Sequence, residues 1–355
     1  MKYDPKHPLS HYYYDIKDEN IARQPAEPRD LAKLLVYDTQ KDEIHIDIFR
    51  NLVHYLPQDS LMVLNNTGVI PARVIFVKDT GGRVEGLILY NEGVQSDGTI
   101  PVIVNKQIHV GKTIHLGDYS FEIRRQNQQY FYLFPLFDVQ LLPTILLELG
   151  TTPTPRYLGN ISMPEDDLRS RYQTIFAEEK KSVAAPTASL HFTEEVFQSL
   201  KTKNISQSEV TLHVGMGTFA EISQSNLDQK ILHTEPIEIS EKTISEIHTA
   251  KNNQNPVIAV GTTAIRTLES QAELLLSGYN SAIRTQTNIF IMPGFEYKIA
   301  DILITNFHIP QSSLMALVDA FLLNKKSKKS ILDLYRFALD NDFKFYSFGD
   351  SMVVL

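Results

Sequence analysis

The 355-residue chain contains no cysteine. Disulfides, thiolate metal sites and a cysteine nucleophile are thereby excluded, while the redox compartment stays open. Long apolar runs are missing too: no segment approaches the roughly 18 to 20 residues that a membrane span needs. The first residues, MKYDPKHPLSHYYYD, offer no apolar stretch of the kind an export signal carries. No membrane association and a cytoplasmic place are therefore expected. A basic excess is also lacking. A formal net charge of −8 and a sequence pI near 5.8 argue against a general nucleic-acid coat, which would show a basic footprint. No HExxH, no histidines paired at helical spacing and no Cys/His set are present, so no metal is expected; no serine sits in G-x-S-x-G, so a serine hydrolase fits poorly.

What is present is apolar material for a large core. Hydrophobic residues make up 43% of the chain, and its length exceeds that of a usual single domain, so two domains are expected. Net charge hides its distribution: residues 66–130 carry seven Lys/Arg against six Asp/Glu inside an otherwise acidic chain. The tract Lys325, Lys326, Lys328, Lys329 reads as a solvated turn before the next helix, with a nucleic-acid contact as the alternative.

Taken in order, Asp18 is placed to cap a short helix that must stop before Pro25. The runs 34–38 and 44–49 read as a hairpin, and 61–64, 74–77 and 84–89 as strands, with Gly81-Gly82 as a turn. From Pro71 to Pro143 short apolar runs recur with polar turns between them, the pattern of a small barrel or sandwich. Helices and strands alternate after Gly150: 193–202 then 210–214, 241–252 then 257–260, 263–276 then 287–291, and 302–305 then 312–323. A helix over 331–339 and a strand-like FKFYSF close the chain. The expected architecture is an α/β main domain built from both ends of the chain (1–70 and 151–355) with a small β-barrel domain inserted at 71–150.

Polar chemistry is densest from Ser182 to Phe219, where two histidines and a Gly-Met-Gly turn adjoin apolar runs. Thr193 is expected to cap the following helix, with Glu194 and Glu195 in its first turn. GMGTFA at 215–220 superficially matches a dinucleotide fingerprint, but EISQSNLD after it lacks an apolar helical face, so no pyrophosphate site is expected. VIAVGTTAIRTLES offers a buried strand, a Gly-Thr-Thr turn and a helix, without the Gly-Lys-Ser/Thr of a nucleotide phosphate loop. Its helix N-terminus and two hydroxyls suit a carboxylate or a ribose; simple capping by a threonine is the plainer alternative. LITNFHIPQSSLMALVDAF repeats the plan, with Asn306 and His308 in the loop.

Together VLNNTGVIPARV, KDTGGRVEGLIL, RYQTIFA, SVAAPTASLHFT, VTLHVGMGTF, AVGTTAIRTLES, FIMPGFEY, ILITNFHIPQSSLMALVDAF and FYSFGDSM resemble, in order and across essentially the whole chain, the S-adenosylmethionine:tRNA ribosyltransferase-isomerase family of the queuosine pathway. The resemblance implies an inserted barrel. It further implies transfer and isomerisation of the ribosyl part of S-adenosylmethionine onto 7-aminomethyl-7-deazaguanine at the tRNA wobble position, giving epoxyqueuosine with loss of adenine and methionine. S-adenosylmethionine is then a cosubstrate, tRNA the partner, and a monomer rather than an obligate oligomer the expected state.

That chemistry needs a base to take a proton beside the sulfonium, donors toward adenine, and groups that orient the methionine end. On motif position the expected base is His191 or His213, since an imidazole near neutral pKa suits reversible proton transfer. Thr187, Gly215, Gly217, Gly261, Thr262 and Thr263 are expected at the cosubstrate. Arg266 is expected at its carboxylate, unless it pairs locally with Glu269. Arg73, Tyr157, Asn306, His308 and Asp350 are expected at the acceptor. The chain departs from the family pattern at Asn66 and Gly68, where an acid and an arginine are usual, at Arg156, and at Ser189 in place of glycine. A paralogue with another acceptor and a non-catalytic tRNA- or S-adenosylmethionine-binding protein are the alternatives; Arg156 is a candidate replacement for the missing charge.

Overall fold

The computed structural model describes residues 3–159, 161–215 and 222–355, without the Arg156 side chain. Two sheets dominate it. One has nine strands, and the other is a closed six-stranded antiparallel barrel, in agreement with the architecture expected from sequence.

Next to the middle strand of the large sheet, Val257–Val260, lies Leu61–Asn65, buried along its whole length and paired in parallel with it on one side and with Ser206–Leu212 on the other. Ile302–Asn306 pairs in parallel with Val257–Val260, and Ser351–Val354 then runs antiparallel beside it. Continuous apolar runs of this kind belong to strands covered on both faces. Alternation decides which face each side chain serves. Leu61, Val63, Val257, Ala259 and Leu303 point into a core with the helices Glu241–Asn252, Gly261–Ser270, Ser313–Asn324 and Ile331–Asp340. Met62, Leu64, Ile258, Val260 and Ile304 point to the other face, against Phe49, Leu52 and the helix Glu194–Lys201. The cap expected at Thr193 is made, and of Gln311 and Ser312, either of which the sequence allows as the cap of the helix Ser313–Asn324, it is Ser312; each side chain accepts from a first-turn amide.

The barrel strands are Arg73–Lys78, Arg83–Ile88, Ile100–Val104, Thr113–Leu116, Tyr119–Asn127 and Tyr130–Pro135. Their inward residues, Val74, Phe76, Val84, Val102, Phe121 and Leu133 among them, form a separate core that the helix Leu142–Leu149 closes. The chain enters and leaves side by side, through a bridge between Arg73 and Thr151.

Several local expectations fail for identifiable reasons. Asp18 caps nothing: it lies inside a short turn, Asp18–Asn20, and its carboxylate accepts from Arg23 at 2.6 Å. FKFYSF is not a strand, because Tyr346 has a φ of 75° and Phe343, Phe345 and Phe348 all turn inward; the strand comes later, at Ser351–Val354. A helix does form at Gln224–Gln229, held by a reciprocal cap between Ser223 and Asn226 rather than by an apolar face. The helix expected over 263–276 starts earlier, at Gly261, and breaks at Gln271.

Gly150 marks the tightest point at the barrel exit. A Cβ there would stand 1.8 Å from the Pro71 carbonyl oxygen and 2.6 Å from that of Leu146. At Gly82 the nearest atom would be 3.7 Å away. Gly150→Ala is therefore expected to cost about 2 kcal/mol or more by overpacking against backbone, and Gly82→Ala less than about 0.5 kcal/mol. Urea denaturation of the two variants checks the difference.

Candidate active site

The parallel strands 61–65, 206–212, 257–260 and 302–306 end on one edge of the sheet, where open α/β sheets collect their ligands. The last strand is antiparallel, so the residues before it, Tyr346 and Ser347, reach the same edge. A cleft opens there with about 830 Å³ of empty space, solvent at its mouth included. Val214, Gly261 to Thr263, Arg266 and Thr305 to Ile309 line it, together with Tyr157, Tyr172, Tyr346 and the segment Ala184 to Ala188.

The helix Gly261–Ser270 begins abruptly. Gly261 has a φ of 85°, a conformation that glycine adopts without strain, and this lets the chain turn from strand to helix in one residue. No side chain caps the helix, which overturns the reading of Thr262 or Thr263 as an ordinary cap. Its first amides are left without a side-chain partner, and the buried Thr263 Oγ1 makes no hydrogen bond among the described residues.

Arg266 follows one turn later and is 7% exposed. It does not pair with Glu269, whose carboxylate accepts from the amides of Lys298, Ile299 and Ala300. Its Nη1 donates to Glu235, a residue 2% exposed on the strand Ile231–Ile239. Asn306 is also buried. Its Nδ2 donates to the Asp350 carbonyl and lies 3.3 Å from His191 Nε2, while its Oδ1 has no partner among the described residues.

The cleft gathers Thr187, Gly261, Thr262, Thr263, Arg266, Tyr157, Asn306 and His308 of the residues singled out from sequence. Five others do not line it. His191 stands behind Asn306, packed on Phe49. His213 sits outside the lining, with Nδ1 2.8 Å from Thr67 Oγ1 and Nε2 3.5 Å from Glu179. Gly215 donates its amide to Glu235 Oε1 at 3.1 Å. Arg73 pairs with Glu85 and donates to the Thr154 carbonyl at the barrel entrance. Asp350 uses its carboxylate to accept from the amides of Lys33 and Lys344, fastening the last strand to the first. Gly217 lies outside the described residues, as does the Arg156 side chain.

Asn66, one of the departures from the family pattern, donates to Glu178 and Glu209 and accepts from Thr211, away from the cleft lining. Sequence reasoning missed Glu235, which carries no motif. It also missed Tyr346 and Ser347, which the FKFYSF pattern reads as strand, and Tyr172.

Burial sets the charge state of the histidines. It pushes His308 down to about 3 and His191 down to about 4, the Arg29 backbone opposing it at His191, and it lowers His213 as well. His308 is held at both ring nitrogens, 3.3 Å from Thr305 Oγ1 and 3.3 Å from the Tyr335 hydroxyl. In the unfolded chain these rings take up protons below about pH 6.5. The unfolded state therefore binds more protons than the folded one between about pH 6.5 and pH 4. Stability from these groups is complete above pH 6.5 and is lost as pH falls toward 4. Urea midpoints measured from pH 7.5 to pH 4.5 are expected to decline, and His308→Asn to flatten part of that slope.

The chain matches the family described as queuosine biosynthesis protein over residues 9–354. It is 38% identical over 344 residues to the S-adenosylmethionine:tRNA ribosyltransferase-isomerase of Nitrosomonas europaea, covering 96% of this chain and 94% of that protein. The enzyme of the same name from Aquifex aeolicus is 37% identical over 348 residues, covering 98% and 99%. In fold it is similar to the crystal structure of S-adenosylmethionine tRNA ribosyltransferase from Thermotoga maritima, with a TM-score of 0.54 and 28% identity over 97% of this chain and 99% of that one. The chain belongs to the queuosine biosynthesis protein family.

Proposed function

We propose that this chain is an S-adenosylmethionine:tRNA ribosyltransferase-isomerase that moves and rearranges the ribosyl group of S-adenosylmethionine onto 7-aminomethyl-7-deazaguanine in the tRNA wobble position, releasing adenine and methionine. Residues 1–70 and 151–355 would carry the catalysis and residues 71–150 the inserted barrel. The observation that carries the reading is the polarity of the cleft. Its described lining holds one guanidinium, a neutral imidazole, hydroxyls and aromatic rings, and no carboxylate. That composition suits a ligand with an anionic amino-acid end, a cation that aromatic faces can hold, and a planar base.

Arg266 takes the cosubstrate carboxylate, and the amides at Gly261 to Thr263 lie at the same end. Asn306 Oδ1, an acceptor without a partner, reads an N–H donor, either the adenine amine or the acceptor's aminomethyl group. Tyr157, hydrogen-bonded to Ser347 at 2.6 Å and packed on Tyr346, forms the wall against which a base stacks.

The sulfonium acidifies the protons on the adjacent ribose carbon, and a base must reach them directly or through one water. His308 lines the cleft, so we assign the proton transfer to it in place of His191 and His213. Burial keeps the ring neutral at physiological pH, the form that can accept a proton, while making it a weaker base than a free imidazole. His191 keeps a supporting place, its Nε2 facing the Asn306 amide.

The test follows free adenine and modified nucleoside by mass spectrometry, using purified protein, S-adenosylmethionine and an anticodon stem-loop carrying the aminomethyl-deazaguanine base. Both products are expected in step. Adenine without modified nucleoside would mean a different acceptor, and binding without either product would mean a non-catalytic protein. His308→Asn is expected to slow adenine release by about 100-fold or more with a smaller change in cosubstrate affinity. A wild-type rate in that variant would remove His308 from proton transfer.

A further inference from the structure

Glu235 belongs to no motif, yet it is one of the most buried carboxylates in the protein and it touches the cleft through a single neighbour. Its Oε2 accepts from Arg266 Nη1 and its Oε1 from the Gly215 amide, so both oxygens are engaged. The guanidinium is planar, and the contact at Nη1 tethers one corner of it. What is left is the edge formed by Nε and Nη2. Neither atom has a hydrogen-bond partner among the described residues, although both are buried. Two parallel N–H donors on one edge match the two oxygens of a carboxylate.

A buried cation with two idle donors is costly unless something completes it. No Asp or Glu stands in the described lining, so among the described residues nothing there supplies a second anion, and a ligand carboxylate is the partner that this edge fits. We propose that Glu235 is a positioning residue that makes the site selective for a cosubstrate bearing a carboxylate. It holds Arg266 by Nη1 so that the Nε–Nη2 edge is presented to the amino-acid end of S-adenosylmethionine. The inference rests on the cosubstrate reading above and extends it to a residue that does not touch the ligand. Glu235 also neutralises Arg266 before binding, so the cleft does not meet the cationic sulfonium with an uncompensated positive charge.

Calorimetric titration with S-adenosylmethionine and with its decarboxylated form, S-adenosyl-3-methylthiopropylamine, tests this. Wild-type protein is expected to prefer the carboxylated ligand by about 30-fold, the scale of a charge-assisted pair. In Glu235→Gln that preference is expected to fall to within about 3-fold, because cosubstrate affinity drops while affinity for the decarboxylated ligand is held. In turnover, KM for S-adenosylmethionine rises more than kcat falls. The decarboxylated ligand doubles as a control for folding. Should Glu235→Gln lose its cooperative melt, Glu235→Asp, which keeps the buried charge at a shorter reach, carries the same comparison. Equal weakening of both ligands in a folded variant, or a wild type that binds the two alike, overturns the proposal. A wild type that binds neither ligand would instead remove the cosubstrate reading itself.

Discussion

The parallel pairing of Leu61–Asn65 with its two neighbours is the constraint on which the rest depends. Parallel strands that share a direction also share an edge, so the chain leaves the sheet at Asn65, Leu212, Val260 and Asn306 on the same side. Beyond those points the ladder hydrogen bonds stop, and backbone and side-chain polar groups need other partners. Some find them within the protein, as Thr67 does with Ser182 and His213. Thr263 Oγ1, Asn306 Oδ1 and two nitrogens of Arg266 do not, among the described residues. Unmet polar groups of this sort cost about 1 to 3 kcal/mol each. The two apolar layers that cover the sheet supply stability enough to carry them.

The barrel departs from the end of that same strand. Its entrance and exit are pinned together by the Arg73–Thr151 bridge and by the close approach of Gly150 to Pro71. The turn Tyr90–Glu92 then brings Asn91 against Gly215, whose Cβ would lie 2.6 Å from Asn91 Nδ2. Gly215 donates to Glu235, and Glu235 holds Arg266. A physical chain of contacts thus leads from the barrel to the one guanidinium of the described lining. Arg73, expected at the acceptor, takes part in the entrance instead, where its pair with Glu85 and its bond to the Thr154 carbonyl brace the crossing strands.

Much of this was legible in the residues, and the rest was hidden for physical reasons. Strand and helix alternation, the hairpin turns and the caps at Thr193 and Ser312 are local properties, and local patterns expose them. Gly261, the two threonines and Arg266 stand together because strand and helix there are consecutive. Glu235 stayed invisible because a buried ion pair between residues far apart in sequence leaves no local pattern. FKFYSF misled because alternation of aromatic and polar residues reads as a half-buried strand, while a left-handed Tyr346 breaks it. The histidines misled differently. A junction between strand and loop places a residue near the edge of the sheet, but not on its open side, and that distinction separates His308 from His191 and His213.

The electrostatic state of the cleft matters for a cosubstrate whose positive charge disappears as it reacts. Sulfonium becomes thioether when the ribosyl group is released, so any carboxylate placed beside it would stabilise the ground state more than the transition state. The described lining has no such carboxylate, and burial keeps His308 neutral. Glu235 is withheld behind Arg266, where its charge is spent on the guanidinium. Aromatic faces such as Tyr157 and Tyr346 can hold a cation through their quadrupoles at modest gain, roughly 0.5 to 2 kcal/mol. Contacts of that kind hold a cation without opposing its discharge. The carboxylate end, which keeps its charge throughout, is the part that the proposed contact with Arg266 would hold. On that proposal binding is anchored at the end of the molecule that does not change, which leaves the reacting end free of interactions that the reaction would have to break.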